Sequence, residues 1–99
     1  MSLAFYTTKK VEKAIRSRDF FPEDLMYAIQ KLFEQKNEAS KIKHIRFTLH
    51  DVIEENKYIH RSIAVEICAE SLSNETFIEL NEMLAREFPN LPAFFIINC

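Results

Sequence analysis

The chain has 99 residues, 28% of them charged and 47% hydrophobic, with a formal charge of −2, the make-up of one ordinary folded domain spanning residues 1–99. That balance excludes a disordered segment or a collagen-like repeat. Glycine is absent altogether, which removes the glycine-dependent phosphate loops, the nucleophile elbow and the EF-hand turn, and with them the common nucleotide-dependent enzymes.

Residues 8–18 read as a short amphipathic helix with Thr7 or Thr8 as its N-cap. Val11, Ala14 and Ile15 share its apolar side, and Lys9, Lys13 and Arg16 stack on the other. A short strand over residues 3–7 is left open. Pro22, whose φ suits a first helical turn, is followed by Glu23 and Asp24 and then by an apolar stripe of Leu25, Met26, Ile29, Leu32 and Phe33. This predicts a second helix to about residue 36, followed by a polar connector over residues 37–40.

Residues 42–53 and 57–69 alternate apolar and polar, so they predict two strands of a hairpin turning at Glu54, Glu55 and Asn56. The shortest loop pairs Phe47 with Ile63, Ile45 with Val65, His50 with His60 and His44 with Glu66. Ser73 caps a third helix over residues 74–88, with Phe77, Leu80, Leu84 and Phe88 inward. Glu75, Glu79, Glu82 and Arg86 lie outward, Glu82 and Arg86 in the favoured i,i+4 order. The run Phe94-Phe95-Ile96-Ile97 does not alternate, which is usual for a strand covered on both faces or central in its sheet.

The expected fold is thus an α/β (α+β) two-layer sandwich in the order α-α-β-β-α-β. Its three-stranded mixed sheet holds an antiparallel hairpin and a C-terminal strand reached through a crossover helix. This order distantly resembles KH-type RNA binders, but their G-x-x-G clamp cannot be built without glycine.

Several side-chain sets offer chemistry. His44, His50, His60 and Glu66 share one hairpin face and could hold a metal ion, although no established ligand spacing is met. A nuclease built on Asp51 and an E-x-K unit fails because Cys68 stands where the lysine belongs, and adjacency puts His50 and Asp51 on opposite faces, against a Ser/His/Asp site. Lys9, Lys10, Lys13, Arg16 and Arg18 crowd the first helix and offer phosphate contacts, against an overall pI of about 5.9. No catalytic motif is present, so a non-enzyme without cofactor is expected.

Residues 1–50 carry 10 Lys/Arg against 6 Asp/Glu, and residues 51–99 carry 3 against 9, so the halves have opposite sign. Nine phenylalanines, with Phe20-Phe21 and Phe94-Phe95 adjacent, favour self-association. The expected role is a protein–protein interaction or regulatory module, homodimeric, meeting partners through Glu75, Glu79 and Glu82 or through Lys9, Lys13 and Arg16. A nucleic-acid-binding accessory protein using the basic helix is the first alternative, and a metal site on the histidine face the second. The longest apolar run, Ala93–Ile97, is far too short to span a bilayer, so no membrane partner is expected. Cys68 and Cys99 read as one buried thiol and one thiol near the chain end, in a reducing cytoplasm.

Overall fold

The computed structural model describes residues 3–99, and side chains throughout that range except those of Val52, Tyr58, Ile59 and His60. The elements are β1 (Phe5–Tyr6), α1 (Lys9–Arg16), α2 (Pro22–Gln35), a 3-10 turn (Ala39–Lys41), β2 (Ile42–Glu54), β3 (Lys57–Ala69), α3 (Asn74–Glu87) and β4 (Ala93–Ile97). They form an α/β sandwich on a mixed sheet of order β1-β2-β3-β4. β1 runs parallel to β2, β2 antiparallel to β3, and β3 parallel to β4. The sheet therefore has four strands rather than the expected three. The short segment at residues 5–6 is drawn in as an edge strand by the Ile45 N–H bonding to the Ala4 carbonyl (2.9 Å) and the Leu3 N–H to Gln30 Oε1 (3.2 Å).

The helices start where their caps place them. The Thr8 hydroxyl accepts from the Val11 N–H (3.3 Å) and the Ser73 hydroxyl from the Thr76 N–H (3.2 Å), each satisfying an orphan donor of a first turn. Pro22 opens α2, as the sequence predicts. The helices stop without glycine. Asp19 (φ 65°) and Asn37 (φ 57°) take the left-handed conformation, and the following N–H groups of Phe20 and Glu38 reach back to the carbonyls of Ile15 and Phe33.

One core joins the layers: Val11 and Ile15 of α1, Leu25, Ile29 and Phe33 of α2, and Leu80, Met83 and Leu84 of α3 pack on Ile45, Phe47, Ile63, Val65 and Ile67. Burying side chains of this size is worth about 1.5–3 kcal/mol each. The odd-numbered strand residues thus face the helices, and the even-numbered set, from His44 to His50, faces away.

Three further expectations are corrected. The hairpin register is displaced by two residues: Phe47 lies opposite Val65, Ile45 opposite Ile67, Arg46 opposite Glu66, His44 opposite Cys68, and His50 opposite Ser62, while His60 pairs with Val52. The loop is the two-residue turn Glu55-Asn56, both at positive φ (49° and 63°), and an irregularity between Val52 and Ile53 absorbs the remainder. Faces are preserved because a shift of two keeps parity. β4 lies at the sheet edge beside β3, not in the middle, and Ile96 and Ile97 are exposed there.

The third correction concerns the cysteines. Cys68 and Cys99 form a disulfide, with Cα atoms 4.5 Å apart. The parallel register that sets Ile67 beside Ile97 brings the two cysteines together. Among the described residues no helix is long and apolar enough to cross a membrane.

Candidate functional site

The strands of the hairpin hold 13 residues each, so each reaches about 40 Å, nearly the full 41 Å length of the molecule, whereas the 14-residue helices α2 and α3 reach only about 21 Å. The distal hairpin therefore overhangs the helical layer. Between that overhang and α1 lies a cleft of about 670 Å³, within the range of small-ligand and peptide sites.

Helix α1 supplies one wall. Val11 and Ile15 go to the core, which leaves Lys10, Lys13, Ala14 and Ser17, at helical spacing, to line the cleft with Arg18 beyond them. The hairpin supplies Leu49, Asp51, Arg61 and Ile63, and Pro92 closes the side next to β4. Asp51 Oδ1 accepts from Arg61 Nε at 2.8 Å, an exposed pair that fixes the guanidinium over the cleft. Four cationic groups thus stand over an aliphatic floor of Leu49, Ile63, Ala14 and Pro92, with one carboxylate among them. An anion placed about 4 Å from one such cation gains about 1 kcal/mol in open water and about 4 kcal/mol where the protein shields it.

Among the described residues the lining has no histidine or cysteine, and its Ser17 hydroxyl donates to the Ala14 carbonyl (2.7 Å). A second groove of about 490 Å³ between α2 and α3 sets Lys31 and Arg86 against Asp24 and Glu87, so its charge is balanced.

The residues singled out from the sequence are distributed as follows. Lys13 lines the cleft; Lys9 is exposed; Arg16 is held by Glu12 (3.9 Å) and Glu23 (3.8 Å) and turns away from it. Glu75 and Glu79 both engage Lys36 at the end of α2, whereas Glu82 is exposed. Arg86 pairs with Glu87 (3.3 Å) rather than with Glu82. Lys10, Arg18, Asp51 and Arg61 complete the site, and only the crowding of cations on the first helix hinted at it.

Among the described residues the histidine face is not gathered. His44 and His50 lie six residues apart on one strand, about 20 Å. The His44 ring stands edge-on to Tyr6 (5.7 Å) and that of His50 edge-on to Phe94 (5.7 Å), while the His60 side chain lies outside the described residues. Glu66 accepts instead from the Thr48 hydroxyl (2.7 Å) and Asn98 Nδ2 (2.5 Å), which, with Arg46 nearby, hold its carboxyl below the usual glutamate range. Among the described residues no three His, Cys, Asp or Glu side chains converge as a metal site would require. Asp51 opens on the helix side of the sheet and His50 and Glu66 on the other, so neither a nuclease nor a triad arrangement forms.

A second cluster joins α2 to α3. Glu38 is 6% exposed and accepts from the Thr76 hydroxyl, the Ser73 N–H (3.3 Å) and the Ser73 hydroxyl (3.2 Å), with Lys41 Nζ at 3.5 Å. The Thr76 bond above all, then those to Ser73 and the nearby Lys41, hold its carboxyl below the usual range despite burial. All its partners are structural, so it reads as a staple at the start of α3 rather than a site.

Compared with protein-family models, with curated proteins and with solved structures, the chain gives no match. Its function has to be argued from the site.

Proposed function

We propose that this protein is a non-catalytic protein-interaction module whose α1–hairpin cleft takes an acidic segment of a partner protein. The observation that carries the reading is the placement of Lys10, Lys13, Arg18 and Arg61 over the aliphatic floor of Leu49, Ile63 and Pro92. Cations steer and orient an acidic segment, and the floor seats an aliphatic side chain at its centre.

Nucleic acid shares the attraction to cations, but two features weigh against it. Among the described residues the cleft lining has no aromatic ring on which a base could stack, and Asp51 stands among the cations while the whole chain is at −2. The disulfide supports an oxidising compartment, where such bonds persist, over the cytoplasm expected from the sequence.

Panning a random peptide library on the immobilised protein tests this. The expected enrichment is for peptides with two or more Asp or Glu around Leu, Ile or Val, lost in the folded variant K10E/K13E/R18E. Enrichment indifferent to that variant would refute the reading. So would a single-stranded oligonucleotide that binds more tightly than any selected peptide and weakens steeply with salt.

A further inference from the structure

The chain itself carries a segment of the chemistry that the cleft selects. On the outer side of α3, Glu75, Ile78 and Glu82 lie at positions i, i+3 and i+7, one stripe about 10 Å long. Ile78 is 57% exposed, with a carboxylate one turn to either side. Glu75 gives one oxygen to Lys36 (3.2 Å), and Glu82 has no ion-pair partner among the described residues. Among the described residues Glu82 thus has no charge partner, and Ile78 leaves more than half of its surface to solvent.

Building on the reading of the cleft as a seat for an acidic segment, we infer that its occupant is α3 of a second copy of this chain. Ile78 enters over Leu49, Ile63 and Pro92, and Glu75 and Glu82 meet the cations of Lys10, Lys13, Arg18 and Arg61. The charge division of the sequence agrees: the cleft draws Lys10, Lys13 and Arg18 from the half with 10 Lys/Arg against 6 Asp/Glu, and α3 comes from the half with 3 against 9. A helix stripe with an aliphatic centre and acidic flanks is the complement of a groove with an aliphatic floor and cationic walls. Each copy offers one cleft and one stripe, so the contact joins unlike surfaces. It builds a chain of copies unless two molecules satisfy both contacts at once.

Sedimentation velocity on the intact protein tests this, with K10E/K13E, which loses the cleft, and E75K/E82K, which loses the stripe. The wild type is expected to sediment faster with rising concentration at about 50 mM salt, and its association to weaken at least roughly tenfold at about 500 mM. Each variant alone is expected to be monomeric. Mixed in equal amounts they are expected to associate, because one retains the cleft and the other the stripe. Thermal melts confirm that both fold, and I78A, which leaves every charge in place, is expected to weaken the wild-type association by itself. A wild type that stays monomeric while selected acidic peptides still bind would sink the second-copy assignment and leave the cleft reading standing. If the peptides also fail to bind, both fall. Association that survives E75K/E82K, or a mixture that stays monomeric, overturns the assignment too.

Discussion

At Glu38 a single carboxylate in the connector after α2 holds the first turn of α3, through Thr76 and Ser73. Sequence reading saw only a polar connector there, because the bonds that bury Glu38 come from residues 35 and 38 positions further on. Its acidity has a measurable consequence. Glu38 and Glu66 both titrate below the usual glutamate range when folded, Glu38 chiefly through the Thr76 hydroxyl and Glu66 chiefly through the Thr48 hydroxyl. The stabilisation from such a group is complete above its unfolded pKa, roughly 4.3, and is lost as pH falls through its lower folded value. Urea melts are therefore expected to show stability falling from about pH 4.3 downward. Glu38→Gln should cost about 1–3 kcal/mol at neutral pH and flatten that slope, leaving the part due to Glu66. An unchanged slope in the variant would show that Glu38 is not the staple.

Among the elements, the helices and both long strands were legible because local chemistry specifies them: Thr8 and Ser73 as caps, Pro22 at a first turn, and odd–even alternation through the hairpin. The register was not. It depends on a turn with two consecutive left-handed residues, and Glu55 gives no sequence signal for that conformation. β4 was misplaced because an apolar run does not distinguish a central strand from an edge strand: Phe95 packs on the core and Phe94 against the His50 ring, while Ile96 and Ile97 stay exposed. The turn makes its own prediction. Glu55 in the left-handed region costs about 1–2 kcal/mol that glycine does not. Glu55→Gly should raise the urea midpoint, with a net gain of about 0.5–1 kcal/mol once the added unfolded-state freedom is deducted. A loss of stability would mean that the turn conformation is different.

For the molecule as a whole, the sequence made the opposite charges of the two halves legible but not the cleft. The cleft exists because strands outlast helices, and no single segment records that difference. The cysteine pair was equally hidden: residues 31 positions apart meet only once β3 and β4 lie side by side. Linking residues at that separation restricts the unfolded chain by an amount equivalent to about 3–4 kcal/mol on the chain-entropy account, and measured gains are often smaller. Reduction, or Cys68→Ala with Cys99→Ala, is expected to lower stability by about 2–4 kcal/mol in denaturant melts without dissolving the sheet. Identical oxidised and reduced melts would mean that the bond contributes nothing to the folded protein.

The left-handed turns at Asp19, Asn37, Glu55, Asn56 and Asn90 are made by side-chain-bearing residues throughout. Each therefore sits in a conformation that glycine would occupy at less cost. Elsewhere the same lack of glycine acts on the denatured ensemble. A chain of this length would ordinarily hold about seven glycines, and each replacement at a compatible site narrows the unfolded ensemble by about 0.4–1 kcal/mol. Part of this protein's stability thus resides in a denatured chain that has less backbone freedom to regain than an ordinary chain of its length.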